Sequence, residues 1–263
     1  MTSEKPTSPN RVLDLEAGMA MVVTDLHGDW DAYQRYRDCF LTRKRKGEVD
    51  YLLVLGDMIH RSGPSVNDKS VEIVLDLIGL AEAQDGDVIC LLGNHELPHI
   101  YNILLQKGNE LFTPRFEHAM GVHREKIVQF FDTLPFYIRT RAGVTLSHAG
   151  ATAAIGEKDG LQRLWHFSHQ QILKDAKEAI TQEERPSLMR EMRELYGRSY
   201  NELSRTLFAT SGINDPRYDN FLIGTLASSD NPDFDLIWSA LFTRNENEYG
   251  DHGYNVILDT MLR

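Results

Sequence analysis

The chain has 263 residues, enough for one large domain or two small ones, and its 41% hydrophobic and 25% charged content describes an ordinary soluble globular protein. A formal charge of −11 argues against general binding to a DNA or RNA backbone, because such binding rests on Lys and Arg neutralising phosphate. It leaves small phosphate substrates open, since bound metal ions reverse the local charge. Two cysteines, Cys39 and Cys90, cannot build a disulfide framework. The N-terminus has no apolar core of a signal peptide, and no apolar run approaches the ~20 residues of a membrane span. A cytoplasmic protein with neither a membrane nor a nucleic-acid partner is expected, and nothing in the sequence bears on its oligomeric state.

In chain order, residues 1 to about 11 form a polar tail rich in Ser, Thr and Pro, expected to be disordered. An apolar run, Met19 to Thr24, reads as a buried strand and leads into Asp25-Leu26-His27-Gly28-Asp29. Asp29 is placed to cap a helix carrying Trp30, Tyr33, Tyr36, Cys39 and Phe40 on its apolar face. That helix ends in the basic run Arg43 to Lys46 before Gly47, the usual composition of a solvated C-terminus. A second strand, Tyr51 to Leu55, delivers Gly56-Asp57-Met58-Ile59-His60-Arg61-Ser62-Gly63, and an apolar helix spans Val71 to Ala83. A third strand, Val88 to Leu92, delivers Gly93-Asn94-His95-Glu96, after which Pro98 to about Phe131 reads as mostly helical, framing one wall of a site. A hairpin of Phe136 to Thr140 and Gly143 to Ser147 delivers His148-Ala149-Gly150. Residues 151–210 then turn helix-rich and highly charged, a helical cap or insertion.

Carboxylate, imidazole and amide groups thus stand directly after successive strands, where open α/β sheets place their sites. The four blocks, in this order, resemble the calcineurin-like metallophosphoesterases. Within them they are similar to the phosphoprotein-phosphatase branch, whose blocks read D-x-H-G, G-D-x-x-D-R-G, G-N-H-E and a later His before small residues. The Leu26 and Gly28-Asp29 context is similar to a bacterial-type, Shewanella-like subgroup. The resemblance implies an α/β fold: a β-sandwich of two mixed sheets flanked by helices, filling residues 12–263 with the 151–210 segment inserted.

It also implies a site with two divalent metal ions. Asp25 and His27, two apart on one face of an extended segment, would hold the first. Asp57 would bridge both, and Asn94 and His148 would complete the second. Mixed oxygen and nitrogen donors suit Mn²⁺ first, with Fe or Zn²⁺ also fitting. A hydroxide between the ions would be the nucleophile. The family assigns His95 as general acid and Arg61 as phosphate clamp; Asn94 joins the phosphate contacts. The expected substrate is a phosphoprotein monoester, and the alternative within the same chemistry is a dinucleoside polyphosphate or small phosphate ester. A non-enzymatic alternative is a degenerate protein that binds metal or phosphate without turnover.

Three positions depart from the family pattern. His60 stands where the family has an acid that orients the general-acid histidine, and an imidazole supplies no fixed negative charge. Gly250-Asp251-His252-Gly253 resembles a clamp turn with His252 in place of Arg. No Gly-His-Thr or Gly-His-Ser turn follows for a last metal-binding His, and the strand leading to it would begin near Met261-Leu262-Arg263, so a shortened chain is one expectation. His99, His118, His123, His166 and His169 match no motif and are expected to be structural or surface residues.

Overall fold

A computed structural model describes residues 9–180, 184–197, 200–229, 231–242 and 245–262. Residues 1–8, most of the expected disordered tail, lie outside the described residues. Two three-stranded sheets organise the fold. The first has the order β1 (Val12–Leu15), β7 (Tyr137–Thr140), β8 (Thr145–Ser147); β1 and β7 are parallel, β7 and β8 antiparallel. The second has the order β2 (Ala20–Val23), β3 (Tyr51–Val54), β4 (Val88–Cys90). It was expected to be mixed but is all parallel, because α1 (Trp30–Arg45) and α2 (Ser70–Ala83) each carry the chain back to the same strand end.

The apolar runs of β3 and β4 follow from burial on both faces, whereas β2, expected to be buried, is an edge strand that leaves Met19 and Val22 exposed. Side chains alternate along β3, so Leu53 packs with Leu91 and Ile138 between the two sheets, joined by Leu13, Leu15 and Leu146. Leu52 and Val54 point the other way, into a larger core with Ile73, Val74 and Leu77 of α2 and Phe40 of α1. The expected apolar face of α1 is narrower than its sequence implies: Tyr33 and Phe40 are buried, whereas Tyr36 and Cys39 are exposed.

The helical stretch after Pro98 is broken into α3 (Leu97–Tyr101), α4 (Phe112–Met120) and α5 (Arg124–Thr133), with a two-stranded hairpin, β5 (Gln106–Lys107) and β6 (Glu110–Leu111), between the first two. Beyond β8 the chain is helical: α6 (Gly160–Trp165), α7 (His169–Glu178), α8 (Arg185–Tyr196) and α9 (Tyr200–Phe208) lie in the segment 151–210, which was expected to be helix-rich. The helices continue through α10 (Tyr218–Ala227), α11 (Pro232–Phe242) and α12 (Asn245–Leu262). The last apolar stretch is helix, and its residues Ile257 and Met261 bury at a spacing of four.

Two further corrections concern the start of the chain. Val12–Leu15 is a strand that was not expected. Arg11, assigned to the tail, is fully buried: its Nε donates to the Phe167 carbonyl (3.1 Å) and its Nη1 to those of Asp132 and Leu134 (2.7 and 2.8 Å). Burial lowers its pKa to about 10. No helix among the described residues is long and apolar enough to cross a membrane.

Candidate metal centre and active site

The loops after β2, β3, β4 and β8 meet at one place because their backbones are laced together. The amide of Asp25 donates to the Gly56 carbonyl (3.3 Å), that of His27 to Asp57 (2.9 Å) and that of Gly28 to Met58 (2.9 Å). Glu96, fully buried, joins the next pair of loops. Its Oε2 accepts from the amides of Gly93 and Asp57 (both 3.0 Å) and its Oε1 from that of Met58 (2.8 Å). Burial and the neighbouring Asp57 carboxylate raise Glu96 above the usual carboxylate range, while these amide donors work the other way. The loops touch so closely that a Cβ on Gly56 would lie 2.6 Å from the Gly93 Cα, and one on Gly93 would lie 2.5 Å from both Asp57 Oδ1 and Glu96 Oε2.

The expectation of an extended segment at Asp25 and His27 is corrected. Both residues have left-handed backbone, φ 51° and 43°, as do Asp57 (53°) and His60 (71°). Lacing to the β3 loop holds these conformations, which cost non-glycine residues about 1–3 kcal/mol each. The two side chains still converge: His27 Nε2 lies 3.6 Å from Asp25 Oδ1 and 3.8 Å from Asp57 Oδ2. On the other side of Asp57, His148 Nε2 lies 3.5 Å from Oδ1 and 3.3 Å from Asn94 Oδ1. Asp57 itself is buried and stands between the two groups.

The chemistry of this donor set fits cations. His27 Nδ1 faces the Ile59 carbonyl (3.1 Å) and His148 Nδ1 the Leu55 carbonyl (2.8 Å). A carbonyl only accepts, so each Nδ1 carries the proton and each Nε2 presents a lone pair. Lone pairs of Asp25, His27 and Asp57 thus converge on one side, and those of Asp57, Asn94 and His148 on the other. Acceptors facing acceptors at this range repel unless positive charge lies among them. His27, Asp57 and His95 also form a group whose ligand atoms lie within 4.8 Å of one another, with His95 Nε2 3.9 Å from Asp57 Oδ2.

His95 leads into a run of side chains that the sequence motifs did not reveal. Its Nδ1 lies 3.0 Å from His60 Nδ1, and its amide donates to Asp57 Oδ1 at 3.1 Å. His60 Nε2 lies 2.9 Å from His99 Nε2, and His99 Nδ1 lies 2.8 Å from Glu117 Oε1. Arg124 Nε donates to Glu117 Oε2 at 2.6 Å. His60 and His99 are buried; Phe112 stacks on the His60 ring (5.2 Å between centroids), and Phe116 packs edge-on to both imidazoles. His99, expected to be merely structural or at the surface, is therefore in contact with the site's second layer. The fixed negative charge that His60 lacks stands two imidazoles away, on Glu117. Spacing from His95 to His99 was the available clue, since four residues is about one helical turn; nothing local pointed to Glu117.

Arg61 lines a cleft of about 450 Å³ with Asp25, His27, His95, Tyr36 and Phe112, and its Nη1 pairs with Asp29 Oδ2 at 2.9 Å. Asp29 also caps α1 by accepting from the Ala32 amide, and that bond, with the Arg61 charge, holds its pKa below the usual range. His252 is exposed on α12, just after a kink at Gly250, and is not among the residues lining this cleft. The neighbouring Asp251 side chain lies outside the described residues. His118 and His123 stand at the exposed ends of their helical turns, and His169 is buried with its Nδ1 2.8 Å from the Tyr101 hydroxyl.

The sequence pattern of the calcineurin-like phosphoesterase family matches residues 20–206. Among solved structures, a protein serine/threonine phosphatase from Saccharomyces cerevisiae, described as similar to human phosphatase PP5, is 19% identical, with a TM-score of 0.42 over 60% of this chain and 47% of its own. A mutant cold-active protein tyrosine phosphatase is 15% identical, with a TM-score of 0.47 over 100% of this chain and 66% of its own. The cold-active protein-tyrosine phosphatase of a psychrophilic Shewanella species is 12% identical, with a TM-score of 0.37 over 83% and 66%. The chain thus spans from about half to just under two thirds of the length of these proteins. No curated protein matches the sequence. The match over residues 20–206 takes in all four strand-end blocks, and the chain belongs to the calcineurin-like phosphoesterase family.

Proposed function

We propose that the protein is a dinuclear-metal phosphomonoesterase of the phosphoprotein-phosphatase type. The observation that carries this reading is the convergence of lone pairs on either side of Asp57: Asp25 and His27 at 3.6–3.8 Å, Asn94 and His148 at 3.3–3.5 Å. Divalent ions held there would lower the pKa of the attacking water and neutralise phosphoryl charge; Mn²⁺, Fe or Zn²⁺ suits these donors.

The chain's own groups divide the remaining work. The Arg61 guanidinium, at the rim of the cleft, binds the phosphoryl oxygens in exchange for its pairing with Asp29. His95 holds a proton at Nε2 and gives it to the leaving oxygen. Asp57 holds the His95 amide, and so fixes the imidazole against the cluster. Tyr36 and Phe112 give the cleft its apolar wall. A phosphorylated side chain is the substrate class best suited to this open cleft.

The test is metal content and turnover on the same preparation, with an aryl phosphate, a phosphopeptide and a dinucleoside polyphosphate as substrates. Two ions per chain and phosphopeptide turnover are expected. Asp57→Asn should remove metal and activity together, and His95→Asn should lower kcat by about 10²–10⁴-fold with metal retained. Turnover of the dinucleotide alone would move the substrate class. Bound metal without any turnover would leave a metal-binding protein and overturn the enzyme reading.

A further inference from the structure

The run His95–His60–His99–Glu117 has one feature that a set of merely buried histidines would not need: every ring nitrogen in it but the first faces another member. The four gaps from His95 to Arg124 measure 3.0, 2.9, 2.8 and 2.6 Å. The two inner rings are sealed by Phe112, Phe116 and Phe131, so neither His60 nor His99 is shared with bulk water.

We infer that His60, His99 and Glu117 are positioning residues that fix His95 in a single tautomer, with the Nδ1 proton held inside and Nε2 presented to the reacting phosphate. The inference rests on the phosphoesterase reading above for the use made of Nε2. Its direction follows from the far end. Arg124 has only donors, so the Glu117 oxygen it meets must accept. The other Glu117 oxygen then accepts the His99 Nδ1 proton. Neutral His99 is left with a lone pair at Nε2, which accepts from His60 Nε2. His60 in turn accepts at Nδ1 from His95 Nδ1. Each donor meets one acceptor, and the order cannot be reversed without placing a proton on Glu117. Burial, with nearby positive groups, keeps His60 neutral; the His99 hydrogen bond and Arg124 outweigh burial and keep Glu117 ionised. A proton taken up at His95 Nε2 is then the acidic one of an imidazolium. In the opposite tautomer Nε2–H would belong to a neutral imidazole, a far weaker acid.

Glu117→Gln reads this directly. Gln must turn its carbonyl to Arg124, so its NH₂ faces His99 Nδ1 and the whole run reverses. Nitrogen-15 imidazole spectra of the metal-free protein should show bare Nε2 on His99 and bare Nδ1 on His60 in the wild type, and the opposite pattern in the variant. With Mn²⁺ added, the variant should lose at least about tenfold more turnover on an alkyl phosphate, which needs leaving-group protonation, than on an aryl phosphate, which needs little. His99→Phe, which fills the space while cutting the run, should give the same selective loss if the Gln variant folds poorly. The inference is overturned if the wild-type spectra show the opposite sense. Equal losses on the two esters with unchanged tautomers would overturn it too. Because the spectra need no turnover, an inactive wild-type protein with the stated tautomers would sink the phosphoesterase reading alone.

Discussion

At Gly93 the site depends on the absence of a single carbon. The loops after β3 and β4 approach until a Cβ there would stand 2.5 Å from Asp57 Oδ1 and from Glu96 Oε2. Neither group can retreat, since Asp57 is held by the His95 amide and Glu96 by three amides of the same loops. Gly93→Ala should therefore displace the carboxylate that stands between the two donor groups. Mn²⁺ affinity, measured by calorimetry, is expected to fall by about 10–100-fold, the range seen when the support of a metal ligand is lost. A variant that binds Mn²⁺ as well as the wild type would show that the loops have room to separate. Left-handed backbone at Asp25, His27, Asp57 and His60 belongs to the same design: strain concentrated where the strand ends turn their side chains onto one spot.

At the level of elements, β1 is secured more by the residue before it than by its own four residues. Arg11 reaches from the start of β1 to carbonyls of the α5–β7 connection and of the segment before α7, and its guanidinium lies 5.0 Å over the Phe136 ring. Burial is paid back by those three acceptors. Arg11→Met keeps the length and apolar stem but leaves the carbonyls of Phe167, Asp132 and Leu134 without this donor. A loss of about 3 kcal/mol is expected in urea unfolding, at roughly 1–3 kcal/mol for each buried group left unsatisfied and with partial relaxation. An unchanged midpoint would mean that water reaches these carbonyls. The last element, α12, carries the apolar residues Val256, Ile257, Leu258, Met261 and Leu262. The burial of Ile257 and Met261, with Val256 exposed, is helical.

Among the described residues, two further cores accompany the small cluster between the sheets. The larger surrounds the sheets, while Met189, Met192, Tyr200, Leu207, Tyr218, Phe221 and Leu222 form a separate cluster among α8, α9 and α10. Buried imidazoles give the assembly a pH dependence of definite sign. Burial holds His60, His99 and His169 below the ordinary imidazole value. In the unfolded chain they titrate near 6.5, so below that pH the unfolded state binds more protons and stability falls as pH falls. Each such group removes about 1.4 kcal/mol per pH unit until its folded pKa is reached. The urea midpoint of the metal-free protein should therefore drop between about pH 7 and pH 5.5, and His99→Phe should make that drop shallower. A midpoint independent of pH over this range would require these imidazoles to take up protons as readily in the folded state as in the unfolded chain.

Strand ends and the residues that follow them were legible in the sequence because each is a local event. An apolar run of about five residues reads as a strand even where, as in β2, it proves to be an exposed edge, and Asp, His or Asn placed just after it emerges at the strand's end. Asp25, His27, Asp57, Asn94, His95 and His148 come together as that logic requires. The Asp29 cap and the helical character of residues 151–210 were legible too. Other features required the chain to meet itself. Arg11 is buried by partners 121 to 156 residues away, and the link from Glu117 to His99 joins α4 to α3 across an intervening hairpin. Pairing between distant segments leaves no period or spacing in the sequence, because it is set by how helices cross and which faces they bury. The sequence by itself therefore determined which groups would stand at the centre. Only the tertiary structure decided that the run of imidazoles from His95 through His60 and His99 ends on the carboxylate of Glu117.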